Sequence, residues 1–289
     1  MSKTGMSLKV PALAGFLASA CFATTTGALE LKYISHLPLH FPEISLTEPS
    51  GLGVAPDGSG FWIVSDETKT VFRLDADGEI RPFLGRDDRL RDLEGVAFDT
   101  RTAQLLMVSE RTSSVIVVSF DPPHRLEVVE VGALPTPTSL EDALEDHDNG
   151  LEGIVIDPDT GSVFVLKERD PRLLIEIAPT LDRINSVMNL NSVLPDDEDV
   201  SGLTLDMIRK GFWIVSDVGK SVHFLPYEGG PVVTLSVFWR DKDRKHKLNN
   251  AEGVALSPDG RYLFVVSDDD KKSRLVQFKI TDDETHRDQ

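Results

Sequence analysis

The sequence predicts an all-β, single-domain β-propeller of five blades, each built from four antiparallel strands. Three observations predict it. A carboxylate stands fifteen positions after a glycine five times over: Gly51 and Asp66, Gly95 and Glu110, Gly153 and Glu168, Gly202 and Asp217, Gly253 and Asp268. The glycine-to-glycine steps are 44, 58, 49 and 51 residues, the period of a propeller blade. Each unit holds short apolar, β-rich runs between turn residues, and no long helical pattern appears.

Each unit opens on an alternating run, as in Gly95 to Asp99 and Gly253 to Ser257. A turn follows: Pro56-Asp57-Gly58, Pro158-Asp159-Thr160-Gly161 or Pro258-Asp259-Gly260. The second strands are Phe61 to Val64, Leu105 to Val108, Val163 to Leu166, Phe212 to Val215 and Leu263 to Val266. They are continuously apolar, as strands buried on both faces should be. The third strands, after the repeated acid, are Thr70 to Leu74, Val115 to Phe120, Leu173 to Ile177, Ser221 to Leu225 and Arg274 to Phe278. A weaker fourth follows in most units, for example Val232 to Phe238. The fifth unit turns polar after Lys279 and Ile280 and lacks its own fourth strand. We expect Leu31 to Ser35 to complete that blade and close the ring. Residues 178–198 are the least strand-like and are read as a place for a short helical excursion. Six blades is the alternative count, which needs a unit hidden in the longer repeats.

Residues 1–28 read as an export leader. Lys3 and Lys9 precede an apolar run from Val10 to Ala23, too short for a comfortable membrane span. Ala20, Ala23 and Ala28 offer cleavage positions. The propeller is then residues 29–280, with a polar tail at 281–289. The expected location is periplasmic or secreted. The alternatives are inner-membrane anchoring by an uncleaved segment, or lipidation at Cys21 in the box Leu17 to Cys21. Cys21 is the sole cysteine, so the exported chain has no disulfide or thiolate site. The net charge of −18 argues against a nucleic-acid partner, which needs a basic face. The balance suits a cationic partner, and the chain is read as a monomer.

Antiparallel blades bring the residue before each glycine and the acid fifteen later to one face of the disc. The inner positions are Ser50, Glu94, Glu152, Ser201 and Glu252. The strand-end positions are Asp66, Glu110, Glu168, Asp217 and Asp268. Ser50, Ser201, Glu110, Glu168 and Asp268 are read as lining the channel mouth. Crowded carboxylates repel one another, and burial raises their pKa, so a compensating charge is needed. A hard divalent cation is one solution. Calcium takes about six to eight oxygens, which Glu94, Glu152 and Glu252 begin to supply with Asn250, Asn149 or water. Zinc or copper is less natural without cysteine. The competing reading neutralises the strand-end acids locally, through turn N–H groups and the bases Lys69, Arg111, Arg169, Lys220 and Lys271.

Of seven histidines, His147 is the best candidate for a general base or ligand, because its link reaches the predicted mouth. No nucleophile elbow or phosphate-cradling glycine loop is present. Arg240 to Lys247 reads as a solvated charged link; the sharper alternative is that it guides a phosphorylated substrate. Trp239 stands in the same link.

The text Asp92-Leu93-Glu94-Gly95-Val96-Ala97-Phe98-Asp99, Val108-Ser109-Glu110-Arg111, Gly150-Leu151-Glu152-Gly153, Lys167-Glu168-Arg169-Asp170-Pro171 and Ala251-Glu252-Gly253-Val254-Ala255 resembles the SdiA-regulated family of YjiK-like and CarP-like β-propellers. The resemblance runs from about Glu30 to Lys279. It implies an exported or inner-membrane-anchored propeller with calcium as its ion, distantly similar to phytases and esterase-like propellers. Carried over, the metal expectation falls on Glu94, Glu152 and Glu252, and then on Asp66 and Asp217. The reading is therefore a calcium-binding propeller in calcium homeostasis or response. One alternative is a calcium-dependent hydrolase of a phosphate ester such as phytate, or of a lactone-like ester. There Arg91, Lys167, Arg169 and Lys245 would bind the anionic oxygens, with catalytic residues unassigned. The other alternative is a non-catalytic interaction scaffold.

Overall fold

The structure is a computed structural model that describes residues 29–55, 57–121, 123–137, 150–196 and 198–282. The predicted leader with Cys21, the link carrying His147 and Asn149, and the tail after Asp282 lie outside the described residues.

The first element among the described residues is β1, Glu30–Pro38. Blade 1 follows as β2 (Pro49–Val54), β3 (Gly60–Ser65), β4 (Phe72–Asp75) and β5 (Ile80–Pro82). Blade 2 is β6 (Leu93–Asp99), β7 (Gln104–Ser109), β8 (Ser114–Ser119) and β9 (Leu126–Glu130). Blade 3 is β10 (Leu151–Ile156), β11 (Val163–Lys167), β12 (Leu173–Ile177) and β13 (Ile184–Asn189). Blade 4 is β14 (Gly202–Asp206), β15 (Gly211–Ser216), β16 (Ser221–Pro226) and β17 (Val233–Ser236). A hairpin, β18 (Phe238–Asp241) and β19 (Arg244–Lys247), precedes β20 (Ala251–Leu256), β21 (Tyr262–Ser267) and β22 (Arg274–Thr281). The last blade has the order β1-β22-β21-β20, so the first strand closes the ring as the sequence predicts. Five four-stranded antiparallel sheets result, and the count is five blades.

The strands are apolar on both sides because each blade packs against two neighbours. One cluster fills each seam: Trp62, Leu93 and Met107 between blades 1 and 2, for example, and Trp213, Val254 and Phe278 between blades 4 and 5. The inner strands approach closely at the repeated glycines. A Cβ at Gly51 would lie 2.6 Å from the Glu94 carbonyl oxygen and 2.8 Å from the Gly95 Cα. The repeat glycine is there for that approach, not for unusual backbone angles.

Two segments differ from expectation. The segment 178–198 carries no α-helix among its described residues. It contains β13, which pairs antiparallel with β12 with one register shift between Glu176 and Ile177, and then a short 3₁₀ turn at Leu190–Ser192. As an outer strand, β13 buries little beyond Ile184, so its apolar pattern is faint. Arg240 to Lys247 is largely exposed, as a solvated link should be, but it is ordered as most of the β18–β19 hairpin.

Candidate metal centre at the channel mouth

The mouth is built by a backbone irregularity that the repeat conceals. The ladder between the first two strands slips at the inner position in four blades: between Pro49 and Gly51, Leu93 and Gly95, Leu151 and Ile154, and Ala251 and Gly253. A bulge leaves its extra residue without a cross-strand partner and re-aims the side chain. Ser50, Glu94, Glu152 and Glu252 fall at these slips. Two residues earlier, Asp92 and Asn250 adopt left-handed φ values of 47° and 46°, which Asp and Asn tolerate. Their carbonyls accept the N–H groups of Glu110 (3.0 Å) and Asp268 (2.8 Å), and the Gly150 carbonyl accepts that of Glu168 (3.1 Å). The bulged inner residue and the strand-end acid are thereby fastened side by side.

The two serines act as ties. Ser50 Oγ donates to the Leu93 carbonyl at 2.6 Å, and Ser201 Oγ donates to the Ala251 carbonyl at 2.7 Å. Each joins its inner strand to that of the next blade. The three glutamates at the remaining inner positions crowd the mouth.

Carboxylate oxygens of Glu110, Glu152 and Glu168 lie within 4.8 Å of one another. Glu152 is buried, and that burial holds its carboxyl well above the usual range, reinforced by the charges of Glu94, Glu110, Glu168 and Glu252. Glu94 is raised in the same way by burial, then by Asp66, Glu110 and Glu252. Burial pushes Glu252 to about 8, with Asp217 as the first contributing charge. Glu168 is pushed to about 7 by burial, although Arg169 pulls it down. A second group, Glu48, Asp66 and Glu67, also brings its oxygens within 4.8 Å. Asp66 lies at the rim, where partial loss of water raises its carboxyl to about 6.

The predicted site residues thus divide. Glu152 meets Glu110 and Glu168 directly. Glu94 and Glu252 face the same cluster through their charges but enter no group of three at that spacing among the described residues. Asp66 belongs to the rim group. Asp217 pairs with Lys220 at 3.7 Å. Asn250 is exposed and serves through its backbone. Asp268 accepts the Ser273 hydroxyl at 3.2 Å. Among the bases behind the strand-end acids, Arg169 pairs with Glu168 at 2.9 Å, but Lys69 turns to Asp88 and Arg111 to Asp92.

The predicted anion-binding residues do not converge. Lys167 is fully buried and donates to the Arg169 carbonyl. Arg169 bridges Glu168 and Asp199, the latter at 3.3 Å. Arg91 is at the rim, paired with Asp88 at 3.2 Å. Lys245 sits on the β18–β19 hairpin, over the ring of Phe238. Trp239 packs there with His36, His246 and Arg274.

Sequence reasoning missed Glu67 and the buried pair of His223 and Glu198, whose Nε2 and Oε2 atoms are 2.5 Å apart. His223 Nδ1 also meets Thr234 Oγ1 at 2.9 Å. The available signal was Ser221 and His223 alternating on one face of an otherwise apolar strand.

The fold is similar to that of Myxococcus xanthus glutaminyl cyclase, with a TM-score of 0.58 and 13% identity over 89% of this chain and 99% of that one. It is similar also to a chain of a nidogen/laminin complex, with a TM-score of 0.52 and 16% identity over 84% and 85%. At such identities the likeness shows the propeller alone. The sequence profile of the SdiA-regulated family matches residues 42–278, and the chain belongs to that family.

Proposed function

We propose that this propeller binds a divalent cation, calcium by its donor chemistry, at the mouth of the channel, and that it acts in calcium homeostasis or response as an exported protein. The observation that carries the reading is the meeting of Glu110, Glu152 and Glu168 within 4.8 Å, with Glu94 and Glu252 adding charge from the same face. The donors are oxygens only, which suits a hard cation. Glu110, Glu152 and Glu168 would hold the ion first. The ion would supply the positive charge that Arg169, already shared with Asp199, only partly gives.

The hydrolase alternative needs several cations facing this ring. Among the described residues, Arg169 and the buried Lys167 are the cations that act on Glu168; the guanidinium is committed to two carboxylates and the ammonium donates to the Arg169 carbonyl. That balance favours ion binding over phosphate-ester chemistry. Calorimetry with calcium should show a saturable site in the wild type and none in Glu152→Gln. Heat from the variant equal to the wild type refutes the assignment. Calcium-dependent phosphate release from phytate would instead establish the hydrolase.

A further inference from the structure

The connection between blades 4 and 5 is charged in the opposite sense to the rest of the chain. Phe238 to Lys247 holds five cations and two acids in a protein of net charge −18. The hairpin is anchored. Phe238 packs against Tyr33 and Phe278, with ring centroids 6.3 and 5.8 Å away. Trp239 has the Arg274 guanidinium 3.7 Å from its ring centre and stacks on His246 at 4.5 Å.

The register sets Arg240 directly opposite Lys245, with Lys247 on the same face opposite Phe238. Like charges directly opposite one another destabilise a ladder. Local relief comes from the Phe238 ring, 3.9 Å from Lys245 Nζ and 5.6 Å from the Arg240 guanidinium. Strand β1, against which the hairpin packs, repeats the pattern, because Lys32 faces Lys279 across β1 and β22. A third such pair, Arg73 and Arg81 in blade 1, is neutralised by Asp75, which lies 3.7 and 3.0 Å from the two. Lys32, Arg240, Lys245, Lys247 and Lys279 form no ion pair with a described residue. Folding alone gives no reason to keep these cations uncompensated on one blade.

The geometry points to the hairpin and the adjoining flank of blade 5 as a docking surface for an anionic phospholipid bilayer. The cations occupy two strands, a turn and a blade edge, where they meet a continuous array of anions. One peptide phosphate needs converging donors instead. The same blade contains β1, the strand that follows residues 1–28 with their apolar run, so in the chain it lies nearest to any membrane-inserted leader. This surface shares no residue with the carboxylate mouth and does not require calcium.

The test is co-sedimentation of the full chain with phosphatidylcholine vesicles, with and without added phosphatidylglycerol, in EDTA. The wild type should pellet with the anionic vesicles and be released by salt. Replacing Arg240, Lys245 and Lys247 by serine should weaken partitioning on the order of a hundredfold, at roughly fivefold per cation near the surface. Asp243→Lys, a gain that misfolding does not mimic, should strengthen it about fivefold by the same rule. Equal pelleting on neutral vesicles, or undiminished pelleting of the triple variant, overturns the inference. So does hairpin-dependent binding of poly-glutamate with no binding to vesicles, which assigns the surface to an acidic protein instead.

Discussion

The two faces of this propeller use the same side chains to opposite ends. On the face opposite the mouth, acids in the turns between first and second strands are surrounded by donors. Asp206 accepts the Trp213 indole N–H at 3.0 Å, the Arg209 guanidinium at 3.0 Å and two backbone N–H groups. Asp99 is matched by Arg101, and Asp259 by Ser257 and Arg261, with carboxyls held below the ordinary range. At the mouth, Glu94, Glu152, Glu168 and Glu252 are withdrawn from water among other acids and are held above it. Acids of the first kind fasten turns. Acids of the second kind work against the fold unless a proton or a cation joins them.

The largest expected effect lies on the fastened face. Asp206→Ala leaves Arg209 and the Trp213 N–H without their buried partner and should cost about 3–5 kcal/mol in denaturant unfolding. Next is Gly51→Ala, which forces a methyl against the backbone of blade 2 and should cost about 1–3 kcal/mol. It should also weaken cation binding by spreading the inner strands. Glu152→Gln should have the opposite sign. By removing a buried carboxyl that folding forces to take up a proton, it should raise the melting temperature of cation-free protein by a few degrees, for about 1 kcal/mol or less. A loss of stability in this variant would make Glu152 an ordinary structural acid.

The pH profile sharpens the contrast further. The mouth carboxyls have native pKa values above their unfolded ones, near 6 for Asp66, 7 for Glu168 and 8 for Glu252. Native protein therefore binds more protons than unfolded protein across this range, and stability falls as pH rises through it. Asp259, lowered to about 2, works the other way: its contribution is present above the ordinary carboxyl range and is lost as pH falls toward 2. Cation-free melts should accordingly decline from about pH 5 to pH 8, and calcium should restore most at the upper end. A flat profile would mean that the mouth is solvated.

The blade plan was legible because it is periodic. A glycine needed for close approach, and an acid at a strand end, recur at one spacing, and even the closing strand Leu31 to Ser35 followed from a missing fourth strand. What the sequence concealed is local geometry. Nothing in Glu94 or Glu252 announces a bulge, which is a property of two strands in register. Without the bulge, the grouping of Glu152 with Glu110 and Glu168 could not be separated from the grouping with Glu94 and Glu252. Arg169 looked like a ligand-binding base until its two carboxylate partners were placed. The hairpin at Phe238 to Lys247 was hidden because the charged run Arg240 to Lys247 reads as a link, whereas its aromatic root, Phe238 and Trp239, sits just upstream of that run and its seat on β1 lies some two hundred residues earlier.

The central claim is that the mouth holds charge in waiting, protons at rest and a cation when one is present. Calorimetry of calcium binding at pH 7, repeated in buffers of different ionisation enthalpy, counts the protons released on binding. Release of protons to the buffer on binding to the wild type is the predicted result. Calcium binding with no proton release would show that these carboxyls are already ionised, and would contradict the account.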